Sequence, residues 1–246
     1  MTHAEHSQKH WNALLKQLRQ EFPVAAPHPP EDDLTGLLVR GLLLWEASSH
    51  QAELAHQRLR SAFVDLNELR VSMPDDIAHA LGERYPLAEE RSIRIRAVLH
   101  DVFAREHAVS IERLRAAPKR DARHYLVSLD GCPEFASAYV VLHGLDGHAA
   151  PVDERLLALL IKAGVVRTGT QTSAVSSWIE HYVPSDECAS TCALLRAWAD
   201  RDGHPPHRER RASHAPPQDH TPSRPASRAA AKTHKPGSGK RGQSRP

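Results

Sequence analysis

Three cysteines in 246 residues are too few to staple a small secreted scaffold, and they suit a reducing compartment. No apolar run approaches the ~20 residues that span a bilayer. Residues 1–20 are polar with a helical pattern and lack the apolar stretch of a signal peptide. These shortages predict a cytoplasmic chain with no membrane partner. No phosphate loop, dinucleotide fingerprint or G-x-S-x-G elbow occurs. The eighteen histidines are scattered, with no H-E-x-x-H. His3, His6 and His10 share a helix face, which reads as solvated rather than metal-binding. No stretch alternates with the period of two that strands need. What is present is 40% hydrophobic residues, enough for a core and too many for wholesale disorder.

The net charge of +2 hides an asymmetry. Residues 203–246 carry ten Lys/Arg against two acids, a net of +8, which leaves −6 for residues 1–202. That tail has eight prolines and no aromatic, so it cannot bury enough apolar area to offset ordering, and it is expected to be disordered. Arg208, Arg210, Arg211, Lys232, Lys235, Lys240 and Arg241 are its candidate phosphate contacts, for non-specific binding to double-stranded DNA. A solubilising tail without a partner is the competing reading.

The first 202 residues read as helices throughout. Trp11, Leu14, Leu15, Leu18 and Phe22 mark the first at i, i+3, i+4, i+7 spacing. Asp32 or Asp33 caps a second, Leu34 to Ala47, and Ser49 opens a third. Pro86 to His107 is long and amphipathic, and its Arg91, Arg94 and Arg96 read as a solvated face, with a DNA contact partly neutralised by Glu89 and Glu90 as the alternative. Lys119–Leu129 and Glu134–Leu145 flank the turn Asp130-Gly131-Cys132-Pro133. Three further helices cover 153–163, 171–183 and 185–202. The expected organisation is an N-terminal helix and linker (1–30), an all-α helical domain (31–202) and a basic tail (203–246).

The stretch LDGCPEFASAYVVLHGLDGHAAPVDERLLALL, Leu129 to Leu160, is a helix end, a glycine turn, a helix, a loop and a Val152-Asp153 pair opening another helix. A glycine turn before a helix presents backbone N–H groups that suit a phosphate oxygen. This segment resembles the helix–hairpin–helix DNA glycosylase superfamily (HhH-GPD, endonuclease III-like). The family hairpin reads L-P-G-V-G-R-K-T-A-N-V-V-L and is followed by a V-D pair. Leu129 and Gly131 fall on the family's Leu and first Gly, and Val152-Asp153 on its V-D pair. Leu43 to His50 is similar to the family's L-L-S-A-Q-A-T-D segment. The resemblance covers about residues 30–200. It implies two helical subdomains flanking a cleft, with Asp153 at its floor. It also implies a hairpin, Gly131, Cys132 and Pro133, lying against DNA.

Several departures bear on the chemistry. Phe135 stands where lyase members keep a lysine, and a phenyl ring cannot attack a sugar carbon. Members that only remove the base do without that lysine. Asp153 is where the family's aspartate activates water or stabilises the sugar cation as the base leaves, although it is equally a good helix cap. Pro133 replaces the second hairpin glycine and lacks an N–H, while Asp130 and Glu134 put two carboxylates where a phosphate would sit. A plain turn without DNA contact is therefore also open. The four-cysteine iron–sulfur loop is missing: Cys188 and Cys192 share a helix face near His181 and read as buried small side chains, and Cys132 as an exposed thiol with no Lys or Arg beside it. Ala47 takes the place of the glutamine that fills the hole left by an extruded nucleotide.

The resemblance implies a monomer without metal or cofactor, nucleoid-associated if it binds DNA. It would excise damaged or mismatched bases as a monofunctional glycosylase, with Asp153 catalytic. The alternative is a catalytically inactive relative serving as a DNA-binding or protein-interaction module.

Overall fold

The computed structural model describes residues 7–22, 33–82 and 84–203. The basic residues of the tail, its expected disorder, and His3 and His6 lie outside the described residues. Eleven α-helices and one short 3-10 helix make up the described chain, with no β-strand among them. They are α1 (Gln8–Glu21), α2 (Leu34–Leu44), α3 (Ser49–Ala62), α4 (Leu66–Val71), α5 (Pro74–Leu81) and α6 (Ala88–Glu106). After the 3-10 turn Glu112–Ala116 come α7 (Lys119–Val127), α8 (Glu134–Gly144), α9 (Glu154–Lys162), α10 (Thr172–Tyr182) and α11 (Ser185–Asp202).

The boundaries follow from caps written in the sequence. Asp33 accepts from Thr35 and Gly36 at the start of α2. Ser48 and Gln51 form a reciprocal capping box on α3, and Asp65 caps α4. Each such cap contributes about 1 kcal/mol. Proline in the first turn starts α5. The second helix ends three residues earlier than its apolar run suggests. Glu46 takes a left-handed φ of 56°, which breaks the helix and starts the turn into α3.

Two groups of helices pack on each other. Helices α2 to α8 form one, with α2 laid along α8 as its main contact. Gly41 makes that approach possible: a Cβ there would meet the Ala136 backbone at 3.2 Å. In the other group α1 returns to pack on α11, which packs on α9. The chain crosses between the groups after α1 and again through the loop 145–153. This is the two-subdomain, all-α architecture that the resemblance implied. Leu34, Leu38, Leu42, Leu43, Val98, Leu99 and Val140 are among the fully buried side chains of the core. Each such residue contributes about 1.5–3 kcal/mol of burial.

Candidate active site

Asp153 sits where the loop from α8 enters α9. It is only 2% exposed. Its Oδ1 accepts the Leu156 N–H at 2.9 Å, so the carboxylate is an N-cap, as its position predicts. A surface cap needs nothing more, yet Asp153 has two further partners. Its Oδ2 accepts the Glu46 N–H at 3.3 Å and lies 3.7 Å from the Arg196 guanidinium. Three elements thus converge on one carboxylate: the α2–α3 turn, the start of α9 and the middle of α11.

Beside it opens a cavity of about 520 Å³, within the range of ligand pockets. Asp153, Asp186, Arg196 and Asp200 are the charged residues of its wall, with Arg196 between Asp153 at 3.7 Å and Asp200 at 3.3 Å. The rest is mostly apolar. Phe135, Tyr139 and His143 line one side from α8, and Leu156, Ile179, Ala189, Cys192, Ala193 and Ala197 line others. The three rings form a ladder along α8, with centroids 6.4 Å apart between Phe135 and Tyr139 and 4.5 Å between Tyr139 and His143. The i, i+4, i+8 spacing of that ladder was readable in the sequence, but nothing there told its face from a core face. Phe135 and Asp153, eighteen residues apart in sequence, share this wall.

Three arginines hold the α2–α3 turn in place. Arg91 donates to the Leu43 and Trp45 carbonyls and to Tyr85 Oη at 2.9 Å. Arg155 donates to the Ala47 carbonyl and to the Ala199 carbonyl at 2.7 Å. Arg196 reaches the Ala47 carbonyl, the Leu44 carbonyl at 3.3 Å and Asp200 at 3.3 Å. Apart from Ala199 on α11, the carbonyls they take belong to residues 43–47, where α2 ends and its last carbonyls are freed. This corrects the reading of Arg91 as part of a solvated face: it is fully buried. Arg94 is half-buried as well, placed over the Trp45 ring and paired with Glu90. Amphipathic periodicity missed Arg91 because a guanidinium satisfied by carbonyls can occupy a core position.

Glu46 is the other residue the sequence reading passed over. It is 3% exposed, and its Oε1 accepts the Glu154 N–H at 2.8 Å. Burial first, and the adjacent Asp153 charge second, push its carboxyl up to about 8. Its left-handed backbone is the one signal that could have drawn notice, and that signal is structural.

The hairpin forms, with Gly131 at a φ of 76° and the Cys132 N–H returned to the Leu129 carbonyl at 3.1 Å. Its N–H groups are largely spoken for. Asp101 on α6 accepts the Asp130 N–H at 2.9 Å, and Arg94 donates to the Gly131 carbonyl at 3.0 Å. A Cβ on Gly131 would lie 3.3 Å from Ala97, so the turn rests on α6. Cys132 is half-buried rather than exposed. Burial pushes its thiol up to about 12, although Arg94 lies near enough to oppose the shift. That corrects the expectation of an exposed thiol with no arginine near it. Cys188 and Cys192 are buried, as small apolar side chains would be. Ala47 is buried too, while His50 is exposed on the first turn of α3.

No family model matches the chain, and no curated protein does. Solved structures do match. An endonuclease III in a non-covalent complex with DNA shares 14% identity at a TM-score of 0.62, over 78% of this chain and 85% of that one. An H. pylori 3-methyladenine DNA glycosylase bound to 1,N6-ethenoadenine shares 11% at 0.60, over 78% of this chain and 98% of that one. A Clostridium acetobutylicum 8-oxoguanine glycosylase/lyase, in complex with DNA, shares 11% at 0.61, over 79% of this chain and 68% of that one. Among the described residues no helix is long and apolar enough to cross a membrane. With the hairpin, the V-D helix start and the interlobe cavity in place, the chain has the fold of the endonuclease III-like helix–hairpin–helix DNA glycosylases.

Proposed function

We propose that this protein is a monofunctional DNA glycosylase that hydrolyses the N-glycosidic bond of a damaged or mismatched base. The observation that carries the reading is the placement of Asp153 in the wall of an apolar cavity between the two helix groups. A carboxylate held there by Leu156, Glu46 and Arg196 is fixed before substrate arrives. Such a preorganised charge in a poorly hydrated site stabilises a sugar cation as the base departs. It can equally take a proton from the attacking water. Phe135 offers the cavity an aromatic face and no amine, so the reaction ends at an abasic site with the strand intact. The basic tail, at +8, would add non-specific affinity for the duplex.

Base release from damaged and mismatched duplexes, by wild type beside Asp153→Asn, tests this. Release by wild type alone, with strands cut only after alkali, is the expected result. No release on any substrate from folded wild type sinks it.

The hairpin favours a second reading, a non-catalytic module. Asp101 takes the Asp130 N–H, Pro133 offers none, and Glu134 opens α8 with a negative charge. Such a turn is poorly suited to a phosphate. On this reading Asp153→Asn alters stability alone.

A further inference from the structure

We propose that Glu46 is the positioning residue of the Asp153 site, and that it acts as a neutral, protonated acid. Its main-chain N–H orients Asp153 Oδ2, and its side chain caps the first N–H of α9. The two residues therefore tie the α2–α3 turn to α9 in both directions. Glu46 does not line the cavity and reaches it only through Asp153. The inference deepens the glycosylase reading and rests on it for the step from position to activity.

Charge and hydrogen bonding support the neutral form. The charged groups around Glu46 and Asp153 are Arg91 from α6, Glu154 and Arg155 from α9, and Arg196 and Asp200 from α11. Tyr85 lies against Arg91, and Glu90 pairs with Arg94. Asp153, Glu154 and Asp200 balance the three arginines when Glu46 is uncharged. An ionised Glu46 would add a fourth carboxylate. The guanidiniums cannot turn to meet it, because they are engaged with the carbonyls of residues 43, 44, 45, 47 and 199. Glu46 Oε2 is buried and has no hydrogen-bond partner. Leaving a charged oxygen so placed costs far more than leaving a neutral one. The left-handed backbone of Glu46 is what aims its amide and its side chain at the same helix start.

The sign of the pH dependence follows. An unfolded Glu loses its proton near 4.5, and the folded one near 8. Between those values the native chain holds a proton that the unfolded chain lacks, so stability falls as pH rises from about 4.5 to 8 and levels off above. Glu46→Gln keeps the main-chain amide and the Oε1-type acceptor and removes the titration.

The experiment is the melting temperature of the full-length protein from pH 5 to 9, for wild type, Glu46→Gln and Asp153→Asn. Wild type should lose several degrees toward pH 8, and Glu46→Gln should lose clearly less. Asp153→Asn should move the wild-type loss to lower pH, since the Asp153 charge is part of its cause. Parallel curves for wild type and Glu46→Gln overturn the proposal. Should Glu46→Gln fail to fold, the side-chain 13C carboxyl signal of Glu46 in wild type decides. A midpoint near 8 supports the neutral acid, and one below 6 overturns it. Where wild type releases base, its rate should decline above pH 8 with a limb that Glu46→Gln lacks. A limb shared by both overturns the positioning role. Absence of base release in wild type defeats the glycosylase reading, while the melting curves still decide whether Glu46 is a neutral acid.

Discussion

Asp101 holds the backbone N–H of Asp130 at 2.9 Å, and so a carboxylate of α6 occupies the hairpin of a DNA glycosylase fold. The same carboxylate pairs with Arg105, which in turn donates to the Ser128 carbonyl and hydroxyl at 2.7 Å. The turn is thus bound to its own protein on one side. Replacing Asp101 with Ala should cost about 0.5–1.5 kcal/mol, the usual net worth of a hydrogen bond whose exposed donor water can take over. Urea denaturation reads that loss. Duplex affinity should rise at the same time, because a negative charge beside the hairpin has been removed; unchanged or weaker binding would place the hairpin away from DNA.

Phe135 and Asp153 share a cavity wall, which makes Phe135→Lys informative. A lysine there would bring an amine beside the sugar. We expect covalent trapping on an abasic duplex with borohydride, absent in wild type. Phe135 is largely buried, so the same change should destabilise the fold by about 3 kcal/mol.

Arg155 is 4% exposed and ties the α2–α3 turn to the end of α11 through two carbonyls. Arg155→Met preserves much of the volume and removes both bonds. Each carbonyl keeps a second donor, Arg196 at Ala47 and the Gly203 N–H at Ala199, so the loss is that of two charge-assisted hydrogen bonds, about 1.5–3 kcal/mol each. Thermal melting measures it, and a loss under half a kcal/mol would show the turn to be held by Arg91 and Arg196 alone.

Cys132 should be a slow thiol. With its ionisation pushed up to about 12, almost no thiolate exists at pH 8. Alkylation of wild type and Cys132→Ser at pH 8 should differ little until denaturant is added. Rapid loss of one thiol in native wild type alone would contradict the burial.

A chain ending at Gly203 should bind duplex with a much flatter dependence on salt. The removed residues carry the whole +8 of the tail, and each phosphate neutralised adds about 0.9 to the log–log slope. Equal slopes for the full and shortened chains would leave the tail without a role in DNA affinity.

The helices were legible because their causes are local. Asp33, Ser48 and Asp65 start helices through bonds to residues two or three positions away, Pro74 starts one through its fixed φ, and the apolar periods of α1 and α6 repeat within one turn. Asp153 was legible as a candidate because a cap and a catalytic carboxylate share a helix start at a fixed distance from the hairpin. Its environment was not. Glu46 and Arg196 approach it from 107 positions before and 43 after, and no local pattern marks either. Arg91 read as solvent-facing because hydropathy scores a guanidinium as polar. Only the end of α2, with carbonyls left open by the left-handed Glu46, made its burial favourable. The helical class, the hairpin turn and the phenylalanine at position 135 are properties of short segments and could be read along the chain. Tertiary packing decided which carboxylates meet, which arginines are spent on carbonyls, and where the cavity opens, because those depend on contacts between segments far apart in the chain.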